Sequence, residues 1–264
     1  MLGWFESIVL GVVQGLTEFL PVSSSGHLVV VPAIFGWKQP SLTFDLVLHL
    51  GTLIAVIFAF RRELWTLLGA VFGKGDDVAG SRHLIWLLFI GTIPAAIAGI
   101  AFGNFFEDRF DDPLTTCFEL LGTAAILLIA EFVIRRGQGH EPIDTSRAGA
   151  IGVAQAVAIL PGISRSGATI GTGLVMGVSR EVATRFSFLL AIPAIAGAVA
   201  TKIPDVIDGK FKITGPVIAG FFVSMIVGWL AIEWLLRYVR THSFVPFAIY
   251  LIVFSAISAV VIEV

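Results

Sequence analysis

The sequence predicts an all-α integral membrane protein with six transmembrane helices and two re-entrant helical hairpins in an inverted-topology repeat. Three observations predict this fold class: charge is scarce, six apolar stretches have spanning length, and a serine- and glycine-rich segment occurs twice. Of the 264 residues, 14% are charged and 56% hydrophobic, and mean hydropathy is +0.94. An ordinary soluble domain has roughly 25% charged residues. A soluble globule of this length could not bury so much apolar surface.

The same composition excludes several other classes of protein. The chain is too apolar to be disordered, and its single cysteine, Cys117, excludes a disulfide scaffold. The net charge of −2 provides no basic surface for nucleic acid. The first residues lack the basic region of a cleavable signal peptide and include Glu6, so we expect them to belong to the mature fold.

A bilayer-spanning helix needs about 20 mostly apolar residues. Six stretches meet this requirement, and charged or turn-forming residues bound each of them. They are residues 42–60, 83–103, 114–134, 183–203, 213–236 and 245–264. Four other apolar runs are too short to cross a bilayer: residues 5–20, 26–36, 147–160 and 167–177. Short helices that follow one another in interrupted pairs are typical of re-entrant segments.

Each pair of short runs is joined by a serine-rich segment. The first serine segment is PVSSSG at residues 21–26, and the second is PGISRSG at residues 161–167. A shift of 141 positions aligns Gln14 with Gln155, Ser23 with Ser164, Ser25 with Ser166, and Gly26 with Gly167. The single membrane domain, residues 1–264, is therefore divided into pseudo-repeats 1–140 and 141–264. A re-entrant pair plus three spans reverses the side of the membrane, so we expect an inverted repeat whose two serine segments meet near the midplane.

Basic residues near the span ends predict the orientation. Eleven lie on one side of the predicted topology and five on the other. Because the richer side is normally cytoplasmic, both termini are expected outside. In the span at 83–103, small residues recur every four positions, a pattern that favours close helix packing. They are Gly91, Ala95, Gly99 and Gly103.

Polar residues concentrate around the first serine segment. Gln14 and Glu18 are four residues apart, so a helix presents both on one face. Pro21 ends that helix, and we expect Ser25 or Gly26 to cap a short helix that begins near His27. The hydroxyls and free amides at that helix start predict an anion pocket. The pocket residues are Ser23, Ser24, Ser25 and Gly26.

The second serine segment adds a fixed positive charge. Arg165 carries a guanidinium suited to bidentate phosphate contact. The hydroxyls of Ser164, Ser166 and Thr169 surround it, and Gly167 permits close backbone approach.

If the two segments meet, one pocket contains Gln14, Glu18, Ser24, His27 and Arg165. Carboxylate plus amide suits a divalent cation that bridges phosphate oxygens, serine beside histidine suits a nucleophile with its proton carrier, and arginine suits a phosphoryl-transfer transition state. The serines as plain helix caps, Arg165 as a carbonyl binder and Glu18 as a headgroup-facing residue remain open alternatives. Structural symmetry would repeat serines and glycines, but it would not divide the ionisable groups between the halves.

At these segments the chain resembles the bacitracin-resistance family of undecaprenyl-diphosphate phosphatases. The matching stretches are GVVQGLTEFLPVSSSGHL at 11–28 and ILPGISRSGATIGTGLVMG at 159–177. Span count and repeat layout agree as well, so the resemblance covers essentially the whole chain. It implies a multi-pass protein of the bacterial plasma membrane that hydrolyses a C55-isoprenyl diphosphate to the monophosphate. That reaction recycles the lipid carrier of cell-wall synthesis and links the family to antibiotic resistance.

The resemblance also implies roles for individual residues. Glu18 and Gln14 would bind the divalent metal, Mg²⁺ or Ca²⁺, although many members have a second glutamate at the position of Gln14. Ser24 would be the nucleophile and His27 the general acid/base, and the resemblance alone chooses Ser24 over its serine neighbours. Arg165 would clamp the diphosphate together with Ser164, Ser166 and Thr169.

Three questions stay open at this level. Asp45 and His49 are four residues apart beside the first hairpin, and an interfacial hydrogen-bonded pair is favoured over a role behind the site. The rival function is a transporter or flippase of a polyprenyl phosphate or another anion, because inverted repeats with broken helices are also a transporter design. A homodimer is one candidate for the oligomeric state.

Overall fold

The computed structural model of the chain describes residues 2–107, 112–136, 141–201 and 214–263. In these ranges the chain forms eleven α-helices, and no strand occurs there. The helices are α1 (Trp4–Phe19), α2 (Ser24–Phe35), α3 (Leu42–Ala59), α4 (Arg61–Val71), α5 (Val78–Glu107), α6 (Pro113–Arg136), α7 (Thr145–Val157), α8 (Arg165–Val175), α9 (Arg180–Thr201), α10 (Gly215–Tyr238) and α11 (Val245–Glu263).

Five of the described helices are long and apolar enough to cross a membrane: α5, α6, α9, α10 and α11. They coincide with five predicted spans, whose outermost residues 202–203, 213 and 264 lie outside the described part. Predicted span 42–60 corresponds to α3, which bends by 75° into α4. The sequence did not predict this bend, and only the bent pair taken together counts as a sixth span. The all-helical chain with these apolar helices is an integral membrane protein.

Large apolar side chains cover much of the outer surface. Ile100 is 84% exposed, Phe72 73% and Trp65 71%. Such side chains would be unfavourable in water and are expected where the surrounding solvent is hydrocarbon. The interior is packed around Phe19 of α1, whose ring lies edge-on to that of Phe188 on α9. The packed core therefore joins the N-terminal helices to the second half of the chain.

The four short apolar runs form helices α1, α2, α7 and α8. A shift of 141 positions carries the first residue of α2, Ser24, onto the first residue of α8, Arg165. Both helices begin earlier than their apolar residues suggest. The prediction that Ser25 or Gly26 caps α2 is wrong, because Ser23 is the capping residue.

The small residues of α5 have two different roles. A Cβ atom on Gly152 of α7 would lie 2.6 Å from the carbonyl oxygen of Gly91, so α5 and α7 pack at backbone distance there. Gly99 and Gly103 are different, since an added Cβ would meet nothing within 4 Å among the described residues. The predicted close packing therefore holds at Gly91 and fails at Gly99 and Gly103, which face the cavity described below.

Candidate active site

The two serine segments lie against each other, as the repeat predicts. A Cβ added to Gly26 would be 3.1 Å from the Cα of Gly162, so the backbones are in direct contact. The hydroxyl of Ser166 donates to the carbonyl of Leu20 at 3.0 Å. Gly162 has φ of +90°, a left-handed conformation that glycine adopts without steric cost.

The segments share one capping geometry. Ser23 Oγ accepts a hydrogen bond from the amide of Gly26 at 3.2 Å, and Ser164 Oγ accepts one from Gly167 at 3.0 Å. Serine is a preferred N-cap because its oxygen satisfies an amide that the helix leaves unpaired. The caps place the hydroxyl of Ser24 and the guanidinium of Arg165 at equivalent helix starts, where unpaired amides and the helix dipole favour anions.

Glu18 is the centre of the polar network. Its Oε1 accepts from Arg165 Nη2 at 2.8 Å, and its Oε2 accepts from Ser24 Oγ at 2.6 Å. Gln14 Nε2 donates to Oε2 at 3.0 Å, and His49 Nε2 is 3.4 Å from the same oxygen. The carboxylate is 6% exposed and thus almost enclosed by these groups. The expected hydrogen bond between Asp45 and His49 is present, formed by the Asp45 backbone carbonyl and His49 Nδ1 at 2.7 Å, and the other nitrogen of the His49 ring also contacts Glu18.

Hydrogen bonds to residues of α6 and α9 fix Arg165 and the second serine segment in place. Arg165 Nη1 donates to the carbonyl of Ser187 at 3.3 Å. Thr169 Oγ1 donates to the carbonyl of Arg165 at 2.7 Å and also lies 2.7 Å from Ser187 Oγ. Thr123 Oγ1 accepts from the amide of Ser164 at 2.8 Å and donates to Gly162. Sequence reasoning missed Thr123 and Ser187, because nothing in a buried helix marks one threonine or serine as a partner of a distant loop.

A cavity of about 580 Å³ opens beside this network. Its polar end is lined by Glu18, Ser23, Ser24, Ser25, Ser164 and Arg165, together with Asp45, His49 and Gln155. The rest of it runs between α5 and α9 and is lined mainly by small or apolar residues. These include Ala95, Gly99, Ile100, Gly103, Ala194, Gly197 and Ala198. The remaining predicted residues are buried behind the lining: Gln14, Gly26, His27, Ser166, Gly167 and Thr169.

Known proteins with similar sequences place the chain in a family. The family described as "Bacitracin resistance protein BacA" matches residues 7–257. The undecaprenyl-diphosphatase of Rubrobacter xylanophilus is 41% identical over 98% of this chain and 98% of its own. Those of Elusimicrobium minutum and Moorella thermoacetica are 41% and 40% identical, each over 96% of this chain and 95% of the relative.

The chain belongs to the bacitracin-resistance protein family. The resemblance seen at the two serine segments is thereby confirmed over nearly the whole chain.

His27, the histidine of the family motif in this chain, faces away from the cavity. It is 3% exposed, and its Nδ1 lies 2.8 Å from the carbonyl oxygen of Ser23. Its Nε2 lies 2.7 Å from the hydroxyl of Tyr250 on α11. Both ring nitrogens are therefore engaged away from Ser24, whose hydroxyl is directed to Glu18. The histidine that this member presents to the polar network is His49.

Oxygen atoms suited to a metal are present, but they do not form a complete protein cage. Within the described ranges, no group of three or more His, Cys, Asp or Glu side chains could hold a metal ion. Gln14 Oε1 and Asp45 Oδ1 are buried and have no hydrogen-bond partner among the described residues. Mg²⁺ commonly binds through one or two carboxylates together with substrate phosphates. A single carboxylate, Glu18, with an unpaired amide oxygen on Gln14, fits that mode of binding.

Proposed function

We propose that the protein is an integral-membrane hydrolase that converts undecaprenyl diphosphate to the monophosphate and inorganic phosphate. The observation that carries the proposal is the meeting of Glu18, Ser24 and Arg165 at the polar end of an otherwise apolar cavity. Membership of the family, whose relatives are named undecaprenyl-diphosphatases, supports the same substrate.

The polar end is suited to the diphosphate group. Arg165 has five N–H donors in a rigid fork, and the contacts to Glu18 and Ser187 described above use one from each terminal nitrogen. The starts of α2 and α8 converge here, and their amides add partial positive charge. Phosphate oxygens can therefore bind between Arg165 and the two helix starts, with Ser23, Ser25 and Ser164 as further donors.

Ser24 is the proposed nucleophile and Glu18 its base. With 2.6 Å between Ser24 Oγ and Glu18 Oε2, the hydroxyl proton already points at the carboxylate. As Oγ bonds to the terminal phosphorus, that proton passes to Glu18 and the bond to the bridging oxygen breaks. The lipid monophosphate leaves with the bridging oxygen, and water then cleaves the phosphoserine to give phosphate and free Ser24.

His49 is proposed to share the proton of Glu18. Its Nδ1 faces the carbonyl oxygen of Asp45, an acceptor, so Nδ1 carries a hydrogen. Its Nε2, 3.4 Å from Glu18 Oε2, can then accept the proton taken from Ser24. Neither leucine nor glutamine has a basic nitrogen that could take up this proton, so we expect His49→Leu and His49→Gln both to lower turnover.

Glu18 and Gln14 would also hold the divalent cation of the proposal. A bound Mg²⁺ or Ca²⁺ would neutralise charge on the diphosphate oxygens. The support is the fit described above, a carboxylate next to an unpaired buried amide oxygen.

The apolar part of the cavity is proposed to hold the isoprenoid chain next to the diphosphate. Gly99 on α5 and Gly197 on α9 leave open space where side chains would otherwise stand. The repeat would relate the α5–α9 pair to the α10–α3 pair, where a Cβ on Gly51 would lie 2.6 Å from the carbonyl oxygen of Phe221. Among the described residues the α10–α3 pair is closed and the α5–α9 pair is open, so the groove between α5 and α9 leads away from the site.

The topology is also part of the proposal. The capping of α2 and α8 by equivalent serines, and the helix starts 141 positions apart, support pseudo-repeats 1–140 and 141–264. Six spans, with α3 and α4 as one broken span, plus two re-entrant hairpins then follow. We place the protein in the bacterial plasma membrane with both termini outside; a homodimer stays a prediction.

Phosphate release from undecaprenyl diphosphate tests the function directly. Purified protein with Mg²⁺ or Ca²⁺ should release phosphate. Arg165→Ala and Ser24→Ala should abolish release, and the control Arg61→Ala, at an exposed arginine, should not. Full activity in Arg165→Ala would contradict the proposal. Vesicles in which Ser24→Ala moves the lipid without hydrolysing it would support the transporter alternative as an additional activity.

A further inference from the structure

His27 is enclosed on every side that the structure shows. Its ring is stacked on Phe254 at 4.4 Å between centroids and on Tyr250 at 5.7 Å, with interplanar angles of 10° and 8°. Both aromatic residues belong to α11, far from α2 in the sequence. The three ring centroids form a triangle, since Tyr250 and Phe254 are themselves 5.7 Å apart, and the imidazole cannot turn toward Ser24 without losing its contacts with both rings.

The hydrogen bonds of His27 assign its hydrogen atoms. The carbonyl oxygen of Ser23 can only accept, so His27 Nδ1 carries a hydrogen. In the neutral ring, Nε2 is then an acceptor, and the Tyr250 hydroxyl donates to it across 2.7 Å. Both nitrogens are thus used, and neither is available to take the proton of Ser24.

The residue that His27 holds is unusual. Ser23 has φ of +69°, and it is the only non-glycine residue with positive φ in the described part of the chain. Such a conformation persists in a non-glycine residue only where the surroundings enforce it. The carbonyl of Ser23 accepts both the ring Nδ1–H and the backbone N–H of His27.

The second serine segment provides an internal comparison. Its equivalent cap, Ser164, has an ordinary φ of −68°. The position equivalent to His27 is Ala168, which has no donor side chain. The positive φ and the histidine therefore occur together in one segment, and both are missing from the other.

We propose that His27 is a positioning residue that keeps Ser23 in its left-handed conformation, so that Ser24 points at Glu18, and that Tyr250 is a second positioning residue that fixes the His27 ring. This inference rests on the proposed hydrolysis by Ser24. In this proposal His27 maintains the conformation of the first serine segment, and Glu18 and His49 carry out the proton transfer.

Isosteric replacement tests the role of His27. Asparagine places an N–H near the position of Nδ1, whereas glutamine places one near Nε2. We expect His27→Asn to keep more than a tenth of wild-type kcat, and His27→Gln and His27→Ala to lose about a hundredfold or more. A proton carrier predicts instead that His27→Asn is as inactive as His27→Ala, and that result would overturn the proposal. His83→Asn, at an exposed histidine, is the control.

A second test uses the conformation of Ser23. Glycine adopts positive φ freely, so a chain with Ser23→Gly should depend less on His27. We expect His27→Ala to reduce kcat at least fivefold less in the Ser23→Gly background than in wild type. Equal losses in the two backgrounds would refute the proposal. Tyr250→Phe should lower kcat severalfold with KM unchanged.

The failure of the proposed function would be visible separately. Wild-type protein that releases no phosphate from the lipid diphosphate contradicts hydrolysis itself. Histidine ¹⁵N spectra of the wild type and of Tyr250→Phe test the geometry without turnover. We expect the Nδ1–H form of His27 with Nε2 accepting from Tyr250, and finding the hydrogen on Nε2 alone would contradict the proposed contacts.

Discussion

The contact between the two serine segments can be tested with a single methyl group at Gly26. A Cβ there would be 2.8 Å from Leu120 Cδ2 and 3.1 Å from the Cα of Gly162. Carbon atoms pack best at about 3.5–4.0 Å. To accommodate the methyl group, Leu120 must therefore move away by about 0.7 Å and Gly162 by about 0.4 Å. Leu120 is fully buried and has little room to move, and Gly162 is backbone.

The displacement translates into an expected loss of activity. Moving the second segment by several tenths of an ångström lengthens the 2.8 Å contact between Arg165 and Glu18 toward the limit of a hydrogen bond. A misplacement of about 1 Å costs about 10²-fold in rate, so we expect Gly26→Ala to lower kcat about tenfold. The overpacking should also destabilise the fold by about 1–3 kcal/mol.

The assay compares Gly26→Ala with Gly149→Ala. Gly149 lies in α7, where a Cβ would be 3.9 Å from Ile90, an ordinary contact, so this control should keep wild-type turnover. Both proteins are purified in detergent and measured for phosphate release and for thermal unfolding. If Gly26→Ala hydrolyses undecaprenyl diphosphate at the wild-type rate, the two segments do not hold the site by direct contact.

Three further predictions concern separate regions. Gly197→Leu should fill the groove, reducing kcat/KM for long prenyl diphosphates more than for short ones; an equal reduction for all chain lengths would argue against the groove. Glu131→Gln should lower the melting temperature in detergent, because Glu131 is buried and paired with Arg180 through two hydrogen bonds, and breaking a buried pair costs about 3–5 kcal/mol; an unchanged melting temperature would contradict this. Asp144 precedes α7, and the backbone N–H of Arg147 lowers the pKa of the Asp144 carboxyl. The ionised carboxyl therefore stabilises the fold fully above the ordinary pKa of aspartate, and this stabilisation is lost as the pH falls through the lowered pKa. The melting temperature of the wild type should be higher than that of Asp144→Asn at neutral pH and equal to it in strong acid.

Local patterns were sufficient for much of the fold. Five spans and the four short helices follow from apolar length and from breaks such as Pro21. The pairing of Glu18 with the second serine segment was also predictable, because the predicted repeat places equivalent segments together. The bend between α3 and α4 was not, since the apolar stretch ends there without a proline or a glycine.

Side-chain direction could not be predicted from the sequence. The motif places His27 three residues after Ser24, which suggests that the two act together. On a helix that begins at Ser24, packing decides which neighbour the ring meets, and that neighbour is Tyr250, 223 positions away. The same applies to His49, whose contact with Glu18 depends on how α3 packs beside α1.

The sequence by itself determined that the chain is a membrane protein, because its composition is too apolar for a water-soluble globule. It also determined where the helices break, because local residues control backbone hydrogen bonding. It also showed which ionisable residues occur within the apolar segments, where burying a charge is costly. Only the tertiary structure decided which of two histidines meets Glu18, and that the groove opens between α5 and α9. Both depend on the distances between helices that are far apart in the chain, and those distances are set by packing over the whole molecule.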